Sequence, residues 1–453
     1  MTIDETLVQF IETHLTLENR SNCQWWVGYS GGLDSHLLLL ALSKIVARFD
    51  GVTLHAVHVN HQLQDQALGW EKHCQSVADQ LAVPLSIERV NVDLDHSAGL
   101  EAAAREARYG VFKTHLSGSD VLFLAHHQDD QAETLLLRLM RGSGATGLAA
   151  MAALSAFENM LLARPLLNVS RDAIEAYAQA HQLKWVEDPS NDDRRYDRNY
   201  VRSEIMPLLK SRWPAAASNM ARSAELLRME NQQMDLLLAP FYEQAMDKQQ
   251  RLDIRCLKPL PEITQGQLIR GWLKKLNLPY PSRVNLQRIL REVIAAPIDG
   301  KPLVRWGVAE VRRYEHWLYG MPVQTPLDTQ QVLAWDFSET LVISGLGCLV
   351  AQVDPEHEQA LALRKPVGGE QVSVRFRQGG EKCRPSRAEH QGKAKTKALK
   401  KLMHDYQIPP WLRDRTPLIY YDDQLAAVLG GWVCDGFAAP KGQAGYCLTW
   451  TSD

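Results

Sequence analysis

The chain has 453 residues, 45% of them hydrophobic and 23% charged, with a formal net charge of −3. That length accommodates two to four domains, and that balance belongs to an ordinary globular protein rather than a disordered or fibrous one. A near-neutral total excludes any protein-wide electrostatic signal for nucleic acid, so an RNA-binding surface would need local segregation of charge.

The start, Met1-Thr2-Ile3-Asp4-Glu5, is acidic and leads into no apolar signal-like run, and no stretch has the apolar length of a membrane span. Seven cysteines (23, 74, 256, 348, 383, 434 and 447) lack CxxC spacing. Reduced thiols and a cytoplasmic location are therefore expected, with no membrane partner.

In chain order, the first 140 residues alternate strand and helix. Strands are expected at 24–29, 52–59, 84–90 and 120–125, and helices at 35–48, 66–80, 99–115 and 130–141. This spacing implies βαβ units, hence a Rossmann-like parallel sheet covered on both faces. Gly142 to Gly147 breaks the helical pattern, and helical periodicity resumes at Ser170. A polar loop follows at 188–199, helices dominate from 201 to 296, and two short strands are expected within 304–319. Residues 321–330 read as a linker. Beyond it, strands are expected at 341–344, 371–376, 417–421 and 425–429, with one helix at 394–406. The expected organisation is an α/β nucleotide-binding catalytic domain (1–210), a helical substrate-binding domain (211–322) and a small α+β C-terminal domain (323–453).

Ligands of such sheets bind beyond the carboxyl ends of the strands, and two segments of chemical interest fall there. The first is Ser30-Gly31-Gly32-Leu33-Asp34-Ser35. Adjacent glycines free the backbone to turn its N–H groups toward one point, and a helix N-terminus follows, so the segment suits phosphate. Asp34 makes sense there if it holds a cation that bridges phosphates. A plain glycine turn with a serine cap is the competing account.

The second is His126-His127-Gln128-Asp129-Asp130-Gln131-Ala132-Glu133-Thr134. Asp130 and Glu133 share a helix face and suit Mg²⁺, unless they merely complement the helix dipole. His126 and His127 fit a structural or substrate-contact role better than metal ligation. Arg105 and Arg108, one turn apart, are candidates to neutralise a leaving pyrophosphate, against the alternative of a solvated helix face. Arg198 and Arg202 are candidate phosphate or RNA contacts. So are Lys393, Lys395, Lys397, Lys400, Lys401 and Arg413, in a stretch preceded by Arg375, Arg377, Lys382, Arg384 and Arg387.

The SGGLDS segment after the first strand resembles the PP-loop of the ATP-pyrophosphatase superfamily. Further motifs, in order, are EAAAREARY (101–109), HHQDDQAET (126–134), MRGSGATGL (140–148), RPLL (164–167), WVEDPSND…DRNYVR (185–202) and ALKKL…IPPWLRDRTPL (398–418). With these the whole chain resembles the tRNA(Ile)-lysidine synthetases. The resemblance implies an ATP-dependent ligase that joins the ε-amine of L-lysine to C2 of the wobble cytidine of a tRNA(Ile) with a CAU anticodon, through an adenylated cytidine. Codon reading then changes from AUG to AUA and identity from methionine to isoleucine. It implies that Ser30, Gly31, Gly32, Leu33, Asp34 and Ser35 bind ATP, and that Asp34, Asp130 and Glu133 serve Mg²⁺–pyrophosphate or the lysine amine. The main alternative, another PP-loop enzyme such as a tRNA thiolase, would call for a reactive cysteine pair or an iron–sulfur cluster.

Overall fold

The computed structural model describes residues 2–16, 21–64, 66–93, 99–116, 118–157, 160–297, 300–354, 362–386, 395–440 and 443–451. The chain forms two compact units, Met1–Leu237 and Leu238–Asp453.

In the first unit, α1 (Ile3–His14) precedes the first expected strand. Its start is fixed by a capping box, in which Glu5 N donates to Thr2 Oγ1 at 3.2 Å and Thr2 N donates to Glu5 Oε2 at 2.8 Å. Then come β1 (Gln24–Gly28), α2 (Leu33–Ile45), β2 (Thr53–Asn60), α3 (Ala67–Gln80), β3 (Leu85–Arg89), α4 (Leu100–His115), β4 (Val121–Phe123) and α5 (Gln128–Met140). These match the expected alternation. A short α6 (Ala145–Leu148) leads to β5 (Leu154–Phe157), β6 (Met160–Ala163) and α7 (Arg171–Ala180).

The six strands lie in the order β3-β2-β1-β4-β6-β5. All neighbours are parallel except β5 and β6, so the sheet is mixed rather than wholly parallel. β6 continues the parallel set beside β4, and β5 closes the edge as its antiparallel hairpin partner. Successive side chains of β1 alternate between two cores. Trp25 and Val27 pack with Leu7, Leu37, Leu38 and Ile174 from α1, α2 and α7, while Trp26 packs with Tyr109 and Phe112 from α4. Helices thus cover both faces, and ligand chemistry is left to the carboxyl ends of the strands.

After the loop at 188–196, a nearly continuous helical run comprises α8 (Asp197–Tyr200), a π-helical segment (Val201–Ile205) and α9 (Met206–Arg212). The 30-residue α10 (Ala216–Ala245) follows, and the division between the two units falls inside it.

The second unit continues with helices Ile254–Leu257, Glu262–Lys275 and Arg283–Arg288 around Trp272, Leu273 and Ile289. An antiparallel meander, Leu303–Trp306, Ala309–Tyr314 and Trp317–Pro322, packs on them. It has three strands where two were expected. Left-handed residues at Gly307 and Glu315 make turns too tight to show as separate loops in the pattern. Beyond it lie a five-stranded and a three-stranded sheet, antiparallel throughout. The helix expected at 394–406 spans Leu399–Asp405, after a short strand Lys397–Ala398, and residue 394 lies outside the described residues. Among the described residues no helix is long and apolar enough to cross a membrane.

Candidate active site

The segment Ser30–Ser35 leaves the carboxyl end of β1 and enters α2. Gly31 adopts φ +85°, and a Cβ there would lie 2.9 Å from Cys74 Sγ, so conformation and space both demand glycine. Its carbonyl accepts from Val186 N at 3.0 Å, which pins the turn. The two serines brace the loop from within. Ser35 Oγ donates to Gly32 O at 3.0 Å, Ser30 N donates to Ser35 Oγ at 3.2 Å, and the two hydroxyl oxygens are 3.0 Å apart. What remains for an anion is the backbone turn and the amino-terminal end of α2, whose first N–H groups have no helical partner.

Asp34 sits in the first turn of α2, Asp130 in the first turn of α5 and Glu133 one turn further along α5. His127 joins the two helices electrostatically. It caps α5 by accepting from Asp129 N at its Nδ1 (3.2 Å), while its backbone N–H donates to Asp130 Oδ2 at 3.0 Å. With Nδ1 accepting, a neutral ring carries its proton on Nε2. That nitrogen lies 3.7 Å from Asp34 Oδ2 and 3.5 Å from Asp130 Oδ2. Burial pushes the Asp34 carboxyl above its ordinary value and Asp130 adds to this, against His127 and Arg171, whose Nη1 donates to Asp34 Oδ1 at 2.7 Å. For Asp130 burial also opposes the charge, but His127, His126, Arg202 and Arg198 outweigh it and hold the carboxyl low.

Glu133 is buried and belongs to the arginines. Arg202 Nε and Nη2 donate to its two oxygens at 2.7 and 3.0 Å, and Arg198 Nε donates at 3.2 Å. Arg202 Nη2 also donates to Asp130 Oδ1 at 2.9 Å, so one guanidinium spans both acids. Burial alone would weaken the Arg202 proton, and Glu133 and Asp130 hold it firmly. Arg198 and Arg202, four residues apart, reach the acids from the helical run, Arg202 from its π-helical segment. Lys210 bonds Asp129 from the same run. Arg105 is engaged by Tyr109, its Nη2 donating to the hydroxyl at 3.1 Å and its plane lying over the ring.

The sequence pointed to Asp34, Asp130 and Glu133 as a trio, and the fold brings the first two together at His127 and gives the third to Arg198 and Arg202. Among the described residues no group of three His, Cys, Asp or Glu is disposed to hold a metal ion. A hard dication that also binds phosphate needs few protein oxygens, and the carboxylates that face each other across His127 here are Asp34, a third exposed, and Asp130. One residue of this cluster escaped sequence reasoning: Arg171 follows the Ser170 cap of α7, a segment read only as a helix start. His127, expected to be structural or to contact substrate, is the cap of α5 that faces both Asp34 and Asp130.

In the C-terminal region Lys395, Lys400 and Lys401 are exposed, and Lys397 pairs with Asp405 at 2.7 Å. Lys393 and Arg387 lie outside the described residues. Arg413 is tied to Ile408 O (2.9 Å) and to the Tyr314 hydroxyl (3.3 Å). Acids in turns and at a helix end stand beside other arginines of this region: Arg375 meets Asp423, Arg377 meets Asp414 and Arg384 meets Asp435. The basic surface is therefore narrower than the sequence suggests and rests on lysines.

Comparison with known proteins covers nearly the whole chain. Residues 3–209 match the PP-loop domain family, residues 252–319 the TilS substrate binding domain and residues 372–450 the TilS substrate C-terminal domain. A tRNA(Ile)-lysidine synthase of Coxiella burnetii is 38% identical over 440 residues, 97% of this chain and 94% of that relative. One from Serratia proteamaculans is 40% identical over 427 residues, 94% of each chain. Among solved structures, the U34-tRNA thiolase NcsA of Methanococcus maripaludis superposes with a TM-score of 0.42 at 18% identity, over 50% of this chain and 78% of that one.

Proposed function

This chain belongs to the tRNA(Ile)-lysidine synthase family, ATP-dependent ligases, and from that premise we propose how its site divides the reaction. The observation that carries the division is the meeting of Asp34 and Asp130 at His127, directly beside the Ser30–Ser35 loop.

The triphosphate of ATP lies on the Ser30–Ser35 turn and the amino end of α2. The wobble cytidine of a tRNA(Ile) with a CAU anticodon is unstacked, since an enzyme acting on a base must take it out of the stack. Its O2 attacks the α-phosphate, pyrophosphate leaves, and the ε-amine of lysine then attacks C2 and displaces AMP. Mg²⁺, held by Asp34 with Asp130, would neutralise charge on the phosphates. Asp130, anchored by Arg202, offers the carboxylate that binds and orients the lysine amine, and Glu133 holds Arg202 in place for it. Lys395, Lys400 and Lys401, with Lys393 beside them in sequence, contact tRNA phosphates. The seven free cysteines fit a reducing, cytoplasmic setting.

The test is incorporation of radiolabelled lysine into a tRNA(Ile) transcript with ATP and Mg²⁺, compared with a transcript whose wobble C is changed to U. Incorporation that vanishes with the wobble C supports the reading. Pyrophosphate release on adding tRNA, without incorporation, would reject lysine as the nucleophile. Asp130→Asn and Glu133→Gln should slow the lysine step more than adenylate formation, and equal losses would reject the amine-binding role.

A further inference from the structure

The segment 408–418, with Trp411, Arg413 and Arg415, has no part in the site described above, and its side chains are taken up inside the second unit. Trp411, half-buried in the short helix Pro410–Arg413, lies on the meander. Its ring is edge-on to Tyr319 at 5.2 Å and to Tyr314 at 6.4 Å between centroids, and the Arg312 guanidinium stands 5.2 Å from its centre. Arg312 and Tyr319 are cross-strand partners, and Tyr314 follows Arg312 by two, so all three share one face of the meander. Val311 and Leu318, on the opposite face, are fully buried against the helices. Trp411 therefore covers the face that those helices leave open. Its platform is itself fixed: Arg312 Nε donates to Glu310 Oε1 at 2.7 Å, and Arg251 Nη1 donates to the Tyr319 hydroxyl at 3.0 Å.

The arginines of the segment complete a clasp. Arg413 Nη2 donates to the Tyr314 hydroxyl at 3.3 Å while its Nε folds back onto Ile408 O at 2.9 Å. Arg415 Nη1 donates to Thr325 O at 2.7 Å, in the stretch that leads from the meander to the C-terminal sheets. Its Nη2 donates to Gly345 O, in the turn between two strands of the three-stranded sheet. The lysine-bearing helix Leu399–Asp405 runs into this clasp by a stiff connection. Ile408 N donates to Met403 O at 2.8 Å, and Pro409 and Pro410 restrict the backbone that follows. Where Trp411 sits on the meander thus decides where Lys400 and Lys401 stand.

We propose that Trp411, with Arg413 and Arg415, positions the C-terminal lysines for tRNA by clasping their helix to the substrate-binding meander, without touching the RNA. This rests on the functional reading above, in which Lys400 and Lys401 contact phosphates. Two binding surfaces joined by a flexible linker meet a common ligand at the effective concentration that the linker allows, and ordering them on binding costs affinity. A clasp made before the RNA arrives removes that cost. Edge-on rings and a guanidinium over an indole suit the task, because each contact is favourable only in a narrow range of orientations.

A double-mutant cycle between Trp411 and the lysines tests this, using steady-state kinetics of the full-length enzyme with tRNA, ATP and lysine. Trp411→Ala should raise the KM for tRNA roughly tenfold, the scale of the lost ring contacts and of the lost effective concentration, and leave kcat at saturating tRNA and the KM for ATP and for lysine unchanged. Trp411→Phe should keep most of the affinity, since the indole Nε1 has no hydrogen-bond partner to lose. With Lys400→Ala and Lys401→Ala already in place, Trp411→Ala should add little, because the helix it positions no longer holds the RNA. Arg415→Gln opens the linker half of the clasp and should repeat the pattern, so a Trp411→Ala enzyme that fails to fold does not end the test. The proposal falls if neither variant raises the KM for tRNA, or if the Trp411 and lysine effects multiply as those of two separate RNA contacts would. An unchanged KM for tRNA in the enzyme carrying only the two lysine substitutions would instead overturn the phosphate-contact reading on which the clasp rests.

Discussion

Arg202 clasps Glu133 with a two-pronged contact, Nε to Oε1 at 2.7 Å and Nη2 to Oε2 at 3.0 Å, and the same Nη2 reaches Asp130. Glu133 is 1% exposed, and this guanidinium and Arg198 supply its ion-pair partners. The acid pair is thus a four-residue unit, two acids and two arginines, in which Arg202 fixes the distance between the carboxylates.

Removing Arg202 should cost both stability and activity. A fully buried pair loses about 3–5 kcal/mol when one partner goes. Arg202 is 45% exposed and Arg198 still holds Glu133, so about 1–3 kcal/mol is expected for Arg202→Ala in urea unfolding. Arg202→Lys should restore little, because a single ammonium cannot bridge three carboxylate oxygens in plane. Full recovery with lysine would show that charge alone matters.

The two loop glycines should respond differently to alanine. At Gly31 the positive φ and the 2.9 Å approach to Cys74 Sγ combine, for a cost of about 1–3 kcal/mol and a displaced loop. At Gly32, φ is −76° and the nearest foreign atom lies 3.5 Å from a Cβ, so the fold should accept Gly32→Ala. Cys74→Ala should not rescue Gly31→Ala, since it relieves the crowding and leaves the φ. Thermal unfolding and ATP titration of the three variants read this directly.

Glu71 of α3 ties together the ends of β2 and β3. Its Oε1 accepts from Asn60 Nδ2 at 2.6 Å and from Arg89 Nε at 2.9 Å, and its Oε2 accepts from Arg89 Nη2 at 2.8 Å. The Arg89 hydrogen bonds hold its carboxyl down at about 2 against an ordinary 4.5. A carboxyl lowered in the folded state stabilises fully above its unfolded value and loses that contribution as pH falls toward the folded one. Wild-type stability should therefore decline from about pH 4.5 toward 2, and Glu71→Gln should flatten that part of the curve. An unchanged slope would mean the pair adds nothing.

The lysine surface should bind RNA through phosphates. Lys400→Ala and Lys401→Ala should each weaken tRNA binding without regard to anticodon and lower the slope of log K against log salt by about one per lost contact. Lys397→Ala should do less, because Asp405 already pairs with that ammonium. Wobble-dependent effects of any of these would reject a backbone contact.

The sequence by itself determined whatever depends on local periodicity or on contiguous residues. The alternation of apolar strands and leucine- or alanine-rich helices predicted β1 to β4 and α2 to α5 with small boundary errors, because buried strands and amphipathic helices write their period into neighbouring residues. The loop after β1 was legible because a tight turn with a left-handed residue needs glycine. The acids of α5 were legible because three residues span one helical turn.

Tertiary structure decided which charges meet. Arg171 finds Asp34 across 137 positions, and Arg202 finds Glu133 across 69. No period in the sequence encodes such pairings, since they depend on how helices pack over the sheet. The arginines around the C-terminal strands read as a basic surface until folding brought Asp414 at the end of a short helix, and Asp423 and Asp435 in turns, beside them. Packing completes the division: Arg108 and Arg105 stand three residues apart on α4, yet Tyr109 engages Arg105, whereas Arg108 makes no hydrogen bond or ion pair among the described residues. Composition gives both the same charge, and only the packed fold gives them different surroundings.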